Sequence, residues 1–215
     1  MMRQRRRLLM QLEKSELPSG YARVDYLEST GTQGLILDTI VPDDNIATKI
    51  VFSLTNLNFD WSSNNHFVIA KYENNNKRYR PIKITSGKQF QVQNSNASVL
   101  YSKSIDLNKH TIIFNGENHK GYFDNTLFGS AIATSLAGHA GGGIGISAQS
   151  SISSTLETNS FTPMRLYELS FYDNSTNEIL GEFIPCLDKD NIPCLYDKVS
   201  KQTFYNRGTG EFLYG

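Results

Sequence analysis

The chain has 215 residues, 21 of them basic and 21 acidic, so its formal net charge is zero. That length fits one large domain or two small ones, and a single domain of this size buries roughly 70% of its unfolded surface without a metal or disulfide scaffold. No run of about 18 apolar residues is present to form a transmembrane helix, and the balanced charge argues against a general nucleic-acid binder.

The charge is unevenly placed. Four of the nine Arg, namely Arg3, Arg5, Arg6 and Arg7, lie in the first seven residues. The apolar stretch behind them is only Leu8, Leu9 and Met10, shorter than the roughly 7–15 residues of a signal-peptide core, so a secretory signal is not expected. Residues 3–16 carry a narrow helical stripe of Leu8, Leu9 and Leu12, but Arg crowds the positive end of the helix dipole and Glu13 and Glu16 sit near the negative end. A helix of about 14 residues is marginal on its own. Residues 1–16 are therefore expected to order only against a partner, as an anchoring arm made by Arg3, Arg5, Arg6, Arg7, Leu9 and Leu12. The competing reading is a frayed, solvated tail.

The body reads differently. Asn, Ser and Thr together number 56 and Phe and Tyr 23, a composition of strands joined by polar turns. Leu17-Pro18-Ser19-Gly20 ends the arm. Val24, Tyr26 and Leu27 lead into an expected turn at Glu28-Ser29-Thr30-Gly31, then Leu35-Ile36-Leu37, with a break at Pro42-Asp43-Asp44. Strands are expected over 49–54 and 66–70, and over 82–84, 90–92 and 99–101, where apolar residues alternate or nearly so. Thr111-Ile112-Ile113-Phe114 and Lys120-Gly121-Tyr122-Phe123 flank Asn115-Gly116, a hairpin signal because Asn-Gly accepts positive φ. Gly141-Gly142-Gly143-Ile144-Gly145-Ile146 lacks the following helix and Lys of a phosphate loop, so it reads as a strand with close backbone approach or a bulge. Met164 to Tyr172 is the strongest strand, Ile179 to Ile184 returns it with Pro185 as the stop, and Leu195-Tyr196-Asp197 and Thr203-Phe204-Tyr205 are short terminal pieces. Many short strands at regular turn spacing predict an all-β chain, a two-sheet antiparallel β-sandwich or jelly roll.

The opening Leu17-Pro18-Ser19-Gly20-Tyr21 with Val24-Asp25-Tyr26-Leu27-Glu28-Ser29-Thr30-Gly31-Thr32-Gln33 resembles the start of concanavalin A-like (laminin-G-like) jelly-roll proteins of gut bacteria and their phages. Met164-Arg165-Leu166-Tyr167, Phe183-Ile184-Pro185-Cys186, Leu195-Tyr196-Asp197, Phe204-Tyr205-Asn206 and Gly208-Thr209-Gly210 are similar to its end. The resemblance spans residues 17–215 as one domain behind the arm. The chain departs from the pattern at Gly34 to Thr39 and at Pro193-Cys194, where the family often has Gly. The resemblance implies a twisted sandwich used for recognition or assembly.

No catalytic residue is expected. The four His, His66, His110, His119 and His139, accompany no Gly-x-Ser-x-Gly elbow. Some enzymes of this sandwich class use two Glu two residues apart on one strand, and here no such pair occurs, with Glu168 alone in its strand. Cys186 and Cys194 are too far apart in sequence for the usual zinc spacing, and read as two buried thiols or a disulfide. No cofactor is expected. Asp43-Asp44-Asn45 and Asp188-Lys189-Asp190-Asn191 are the calcium candidates, and turn chemistry explains them equally well.

Glycans are read by flat aromatic faces beside polar donors. Trp61, Tyr72, Asn74 and Tyr79 are the glycan-binding candidates, with a core role for Trp61 left open. The expectation is a non-enzymatic phage virion surface protein, a head or tail decoration or fibre component assembled in the host cytoplasm. Its partners would be other virion proteins or itself as a homo-oligomer, and bacterial surface glycans. The alternative is a lectin-like carbohydrate-binding module at a bacterial cell surface, and a glycan hydrolase ranks below both.

Overall fold

A computed structural model of the chain describes residues 16–41, 45–61, 66–74, 77–93, 99–129, 143–151, 153–157 and 159–215. In chain order the strands are β1 (Ala22–Arg23), β2 (Leu27–Ser29), β3 (Leu35–Leu37), β4 (Ile46–Leu54), β5 (His66–Asn74), β6 (Lys77–Ile84), β7 (Gln89–Gln93), β8 (Val99–Ser104) and β9 (His110–Gly116). They continue with β10 (Lys120–Phe123), β11 (Thr126–Gly129), β12 (Ile144–Ile146), β13 (Gln149–Ser150), β14 (Met164–Asp173), β15 (Ile179–Leu187), β16 (Pro193–Asp197), β17 (Thr203–Tyr205) and β18 (Leu213–Tyr214).

Two sheets form a β-sandwich. The first runs β11-β10-β9-β4-β14-β15-β16-β17, antiparallel throughout. β2 shares the far edge of β14 with β15 and carries β18, and β1 adds to β15 beyond the end of β14. The second runs β3-β12-β5-β6-β7-β8, with β13 parallel to β5. Alternation decides which side chains go inside. On β4, Ile46, Ile50, Phe52 and Leu54 join the core while Lys49 between them stays partly exposed. Leu166, Leu169 and Phe171 of β14 do the same. Rings tie the sheets together: Phe52 meets Phe90 edge-on at 5.7 Å, and Tyr79 meets Phe114 at 5.9 Å. Thr48 is the polar member of the inward row on β4, and it is hydrogen-bonded to the Tyr79 hydroxyl.

Several expected boundaries move, each for a visible reason. Pro185 does not stop its strand, since β15 continues to Leu187. Its missing N–H falls where the β14 ladder has already ended, and the Pro185 carbonyl still accepts from the Val24 N–H at 3.1 Å. The expected turn at Glu28 begins later, because Glu28 and Ser29 pair with β14. The turn is closed by Gln33, whose Oε1 accepts from the Thr30 N–H at 2.8 Å. In the β9–β10 hairpin, Asn115 has a φ of 53° inside β9, where its amide donates to the Ile46 carbonyl at 3.0 Å. The reversal itself is a 3-10 turn, Glu117–His119, with Asn118 at φ 58°. Gly143 and Gly145 do serve close backbone approach, with Leu37 O 2.4 Å from where a Cβ on Gly143 would lie.

Candidate functional site

The four glycan candidates do not converge. Trp61 is 2% exposed, packed edge-on against Phe59 and His66 at 5.1 Å each, and its indole N–H donates to the Leu57 carbonyl. Tyr79 is 1% exposed and spans the core to Thr48, with burial pushing its hydroxyl pKa up. A sugar stacks only on a ring face that solvent reaches, so the expectation for these two is corrected: both rings are spent on the core. Tyr72 is half-buried on β5 with the Arg80 guanidinium 4.9 Å from its ring centre. Asn74 ends β5 opposite Lys77, and its side chain lies outside the described residues. Also outside them are Arg3, Arg5, Arg6, Arg7, Leu9 and Leu12 of the arm, Asp43 and Asp44, Asn75 and Asn76, and His139.

The described histidines sit in structural networks. His66 Nδ1 meets the Phe161 carbonyl at 2.6 Å. His110 is clamped between Asp124 at 2.6 Å and Asp106 at 2.9 Å, against the rings of Phe52, Phe90 and Phe123. Burial works against the Asp106 carboxylate, yet the Asn108 N–H and His110 hold its pKa below the usual range. His119 bonds Asn115 and Asn174. Asp188 is engaged in its turn: Oδ1 accepts the N–H groups of Asp190 and Ile192, and Oδ2 accepts the Tyr205 hydroxyl. Among the described residues no group of three or more His, Cys, Asp or Glu gathers as a metal site, and no helix is long and apolar enough to cross a membrane.

A groove of about 440 Å³ lies on the outer face of the first sheet, across β4, β14 and β15. Its charged walls come from strand faces that read as ordinary solvated positions in sequence. Ser170 lies opposite Lys49 on one side and Glu182 on the other, so the three form one row across the sheet. A bulge in β14 between Leu166 and Glu168 adds Tyr167 and Glu168 to the same lining. Lys49 donates to Glu168 at 2.7 Å. Lys198 donates to Glu182 at 2.8 Å and to Glu16 at 2.9 Å, and the bond and charge of Lys198 hold the Glu16 carboxyl below the usual carboxylate range. Tyr172 is half-buried beside them, and desolvation raises its hydroxyl pKa. Beyond Tyr167 an aromatic–cation ladder continues: Lys109 stands 3.7 Å above the Tyr167 ring, Tyr26 meets Tyr167 at 5.7 Å, and Arg165 covers Tyr26 at 4.5 Å.

The Lys49–Glu168 pair is exposed and the carboxylates that Lys198 bonds are open to solvent, and such pairs contribute about 0–1 kcal/mol to stability. They can therefore exchange partners at little cost. Carboxylates accept from ligand hydroxyls, ammonium groups donate to ligand oxygens, and the tyrosines supply apolar rings. Glycoside hydrolysis takes a proton from one carboxyl of a pair. Here Glu168 and Glu182 each accept a hydrogen bond from a lysine ammonium. Sequence reasoning saw Glu168 alone in its strand and missed Glu182, because only the β14–β15 register brings the two into one groove. No family model matches the chain, and no curated protein matches it in sequence.

Proposed function

We propose that this chain is a non-catalytic recognition protein of the concanavalin A-like jelly-roll kind, displayed on a phage virion surface, whose sandwich holds a neutral glycan. The observation that carries the reading is the groove across β4, β14 and β15, with acid–base pairs beside tyrosines. The β-sandwich and the resemblance of residues 17–215 support the jelly-roll identity, and the four Arg of residues 1–16 support an arm that anchors the protein to other virion proteins or to copies of itself.

Binding of the full chain to an array of bacterial capsular and mucin glycans tests the groove. Glu168→Ala and Tyr172→Ala should each weaken the glycan bound best by roughly tenfold, the loss of about one charge-assisted hydrogen bond or one ring contact. Trp61→Phe, a change in the core, should leave affinity within twofold. Unchanged affinity in both groove variants would refute the site. Deleting residues 1–16 tests the setting: particles assembled with the truncated chain should lack it, and normal incorporation would remove the anchoring role.

A further inference from the structure

Cys186 and Cys194 face each other across the β15–β16 ladder, with Sγ atoms 3.5 Å apart. Both are free thiols and fully buried. They belong to neither the main core nor the groove. With Tyr196 they form a separate cluster, covered by Leu17 and Tyr21 at the root of the N-terminal arm. Directly opposed residues of antiparallel strands have Cα atoms about 4.5–5.5 Å apart, inside the range a disulfide needs. The sulfurs must approach by only about 1.5 Å, which side-chain rotation supplies without moving the strands.

The cover is shallow. Leu17 and Tyr21 are half-buried, Ser19 and Gly20 between them are exposed, and Tyr21 is held by a 3.2 Å hydrogen bond to Thr203 and an edge contact with Tyr196. Segments with so few buried contacts open far below the free energy of global unfolding. We propose that Cys186 and Cys194 are a redox pair, which a small-molecule disulfide of the glutathione class converts to a cross-strand disulfide when residues 17–21 lift. The lock lies in the sheet under the root of the arm, so it fixes the platform on which the arm is carried.

The two thiols have different roles. The hydrogen bond from the Cys194 thiol pulls the Cys186 pKa down, and the same bond together with burial pushes that of Cys194 up. Cys186, as thiolate, attacks one sulfur of the oxidised glutathione. The glutathione S–S bond breaks, one glutathione leaves as thiolate and takes up the proton that Cys186 gave, and a mixed disulfide remains. Cys194, on losing its proton, attacks the Cys186 sulfur, and the second glutathione leaves with that proton. Two electrons pass from the dithiol to the glutathione disulfide, giving one protein disulfide and two glutathione thiols.

The test uses the full chain, reduced, freed of reductant and titrated with mixtures of oxidised and reduced glutathione. Intact mass should show loss of two hydrogens, and peptide mapping a Cys186–Cys194 link. The oxidised chain should melt roughly 4–10 °C higher than the reduced chain. Cys194→Ser should trap glutathione on Cys186, and Tyr21→Ala should speed oxidation about tenfold by thinning the cover. Thiols that stay reduced until the whole chain unfolds would overturn the proposal, as would stable glutathione adducts on the unmutated chain without a link. Oxidation at the same rate with and without Tyr21 would overturn the part played by the cover.

Discussion

Gly145→Ala should lower the melting temperature by roughly 6–12 °C, the shift that about 3 kcal/mol produces in a chain of this size. Gly145 lies in β12, which joins β3 to β5, and both β12 and β13 meet β5 at Ala70. A Cβ at Gly145 would stand 2.5 Å from the Ala148 carbonyl oxygen, 2.7 Å from the Ser150 nitrogen and 3.1 Å from the Ala70 carbonyl oxygen. All three are backbone atoms, so no flexible side chain can give way. One methyl group must therefore part β5 from the 147–150 segment. Gly87→Ala is the control: among the described residues the only atom near its Cβ is Thr85 Oγ1 at 3.6 Å, and its melting point should stay within about 2 °C of the parent. Thermal melts of the two variants settle the point. A Gly145→Ala chain that melts with the Gly87→Ala chain would show that the seam has slack.

The strands that sequence reading found best are those with one face in the core. β9 and β14 alternate because Ile112 and Phe114, and Leu169 and Phe171, go inward while the residues between them are partly exposed, and in β4 Ile50 and Phe52 join the core although Val51 between them is buried too. The Gly-rich stretch was legible for a related reason, since glycine repeats in a strand mark close backbone contact. The residues proposed for recognition were not legible. Trp61 and Tyr79 stood next to polar runs and looked like binding aromatics, but the sandwich interior needs large rings to bridge its two sheets, and both were drawn in. The groove failed to show for the opposite reason. Lys49, Glu168 and Glu182 each look like a routine outward charge, and what joins them is pairing between strands more than a hundred residues apart in β4 and β14. Register is set by the whole hydrophobic pattern, so no local window contains it. Cys186 and Cys194 were visible as a pair close in sequence, but their opposition depends on the turn at Asp188, whose carboxylate shapes the reversal.

Asp197→Ala should cost about 3 kcal/mol, again roughly 6–12 °C in melting temperature. Asp197 ends β16 and is completely buried. Oδ1 accepts the N–H groups of Glu182 at 2.9 Å and Val199 at 3.0 Å, and Oδ2 accepts the N–H and hydroxyl of Ser200 at 3.1 and 2.6 Å. Alanine would leave three backbone donors without their acceptor, those of Glu182 and Ser200 partly buried, and a donor shielded from water and left unpaired costs more than its bond contributed. Asp197→Asn keeps Oδ1 for Glu182 and Val199 but turns an N–H toward the Ser200 N–H, so its loss should be about half as large. The same bonds connect stability to the proposed glycan groove. Asp197 fixes the backbone of Glu182 and the turn that carries Lys198, and Lys198 in turn bonds Glu182 and Glu16 at the groove. Asp197→Asn should therefore weaken glycan binding several-fold at temperatures where the chain is still fully folded. Lys198→Ala should weaken it similarly while leaving the melting point within about 2 °C, because its partner carboxylates on Glu16 and Glu182 are open to solvent and such pairs contribute little to folding. Melts and binding curves on these variants separate the two effects. If Asp197→Asn destabilises the chain but binds as the parent does, the turn supports the fold alone and Lys198 does not shape the groove.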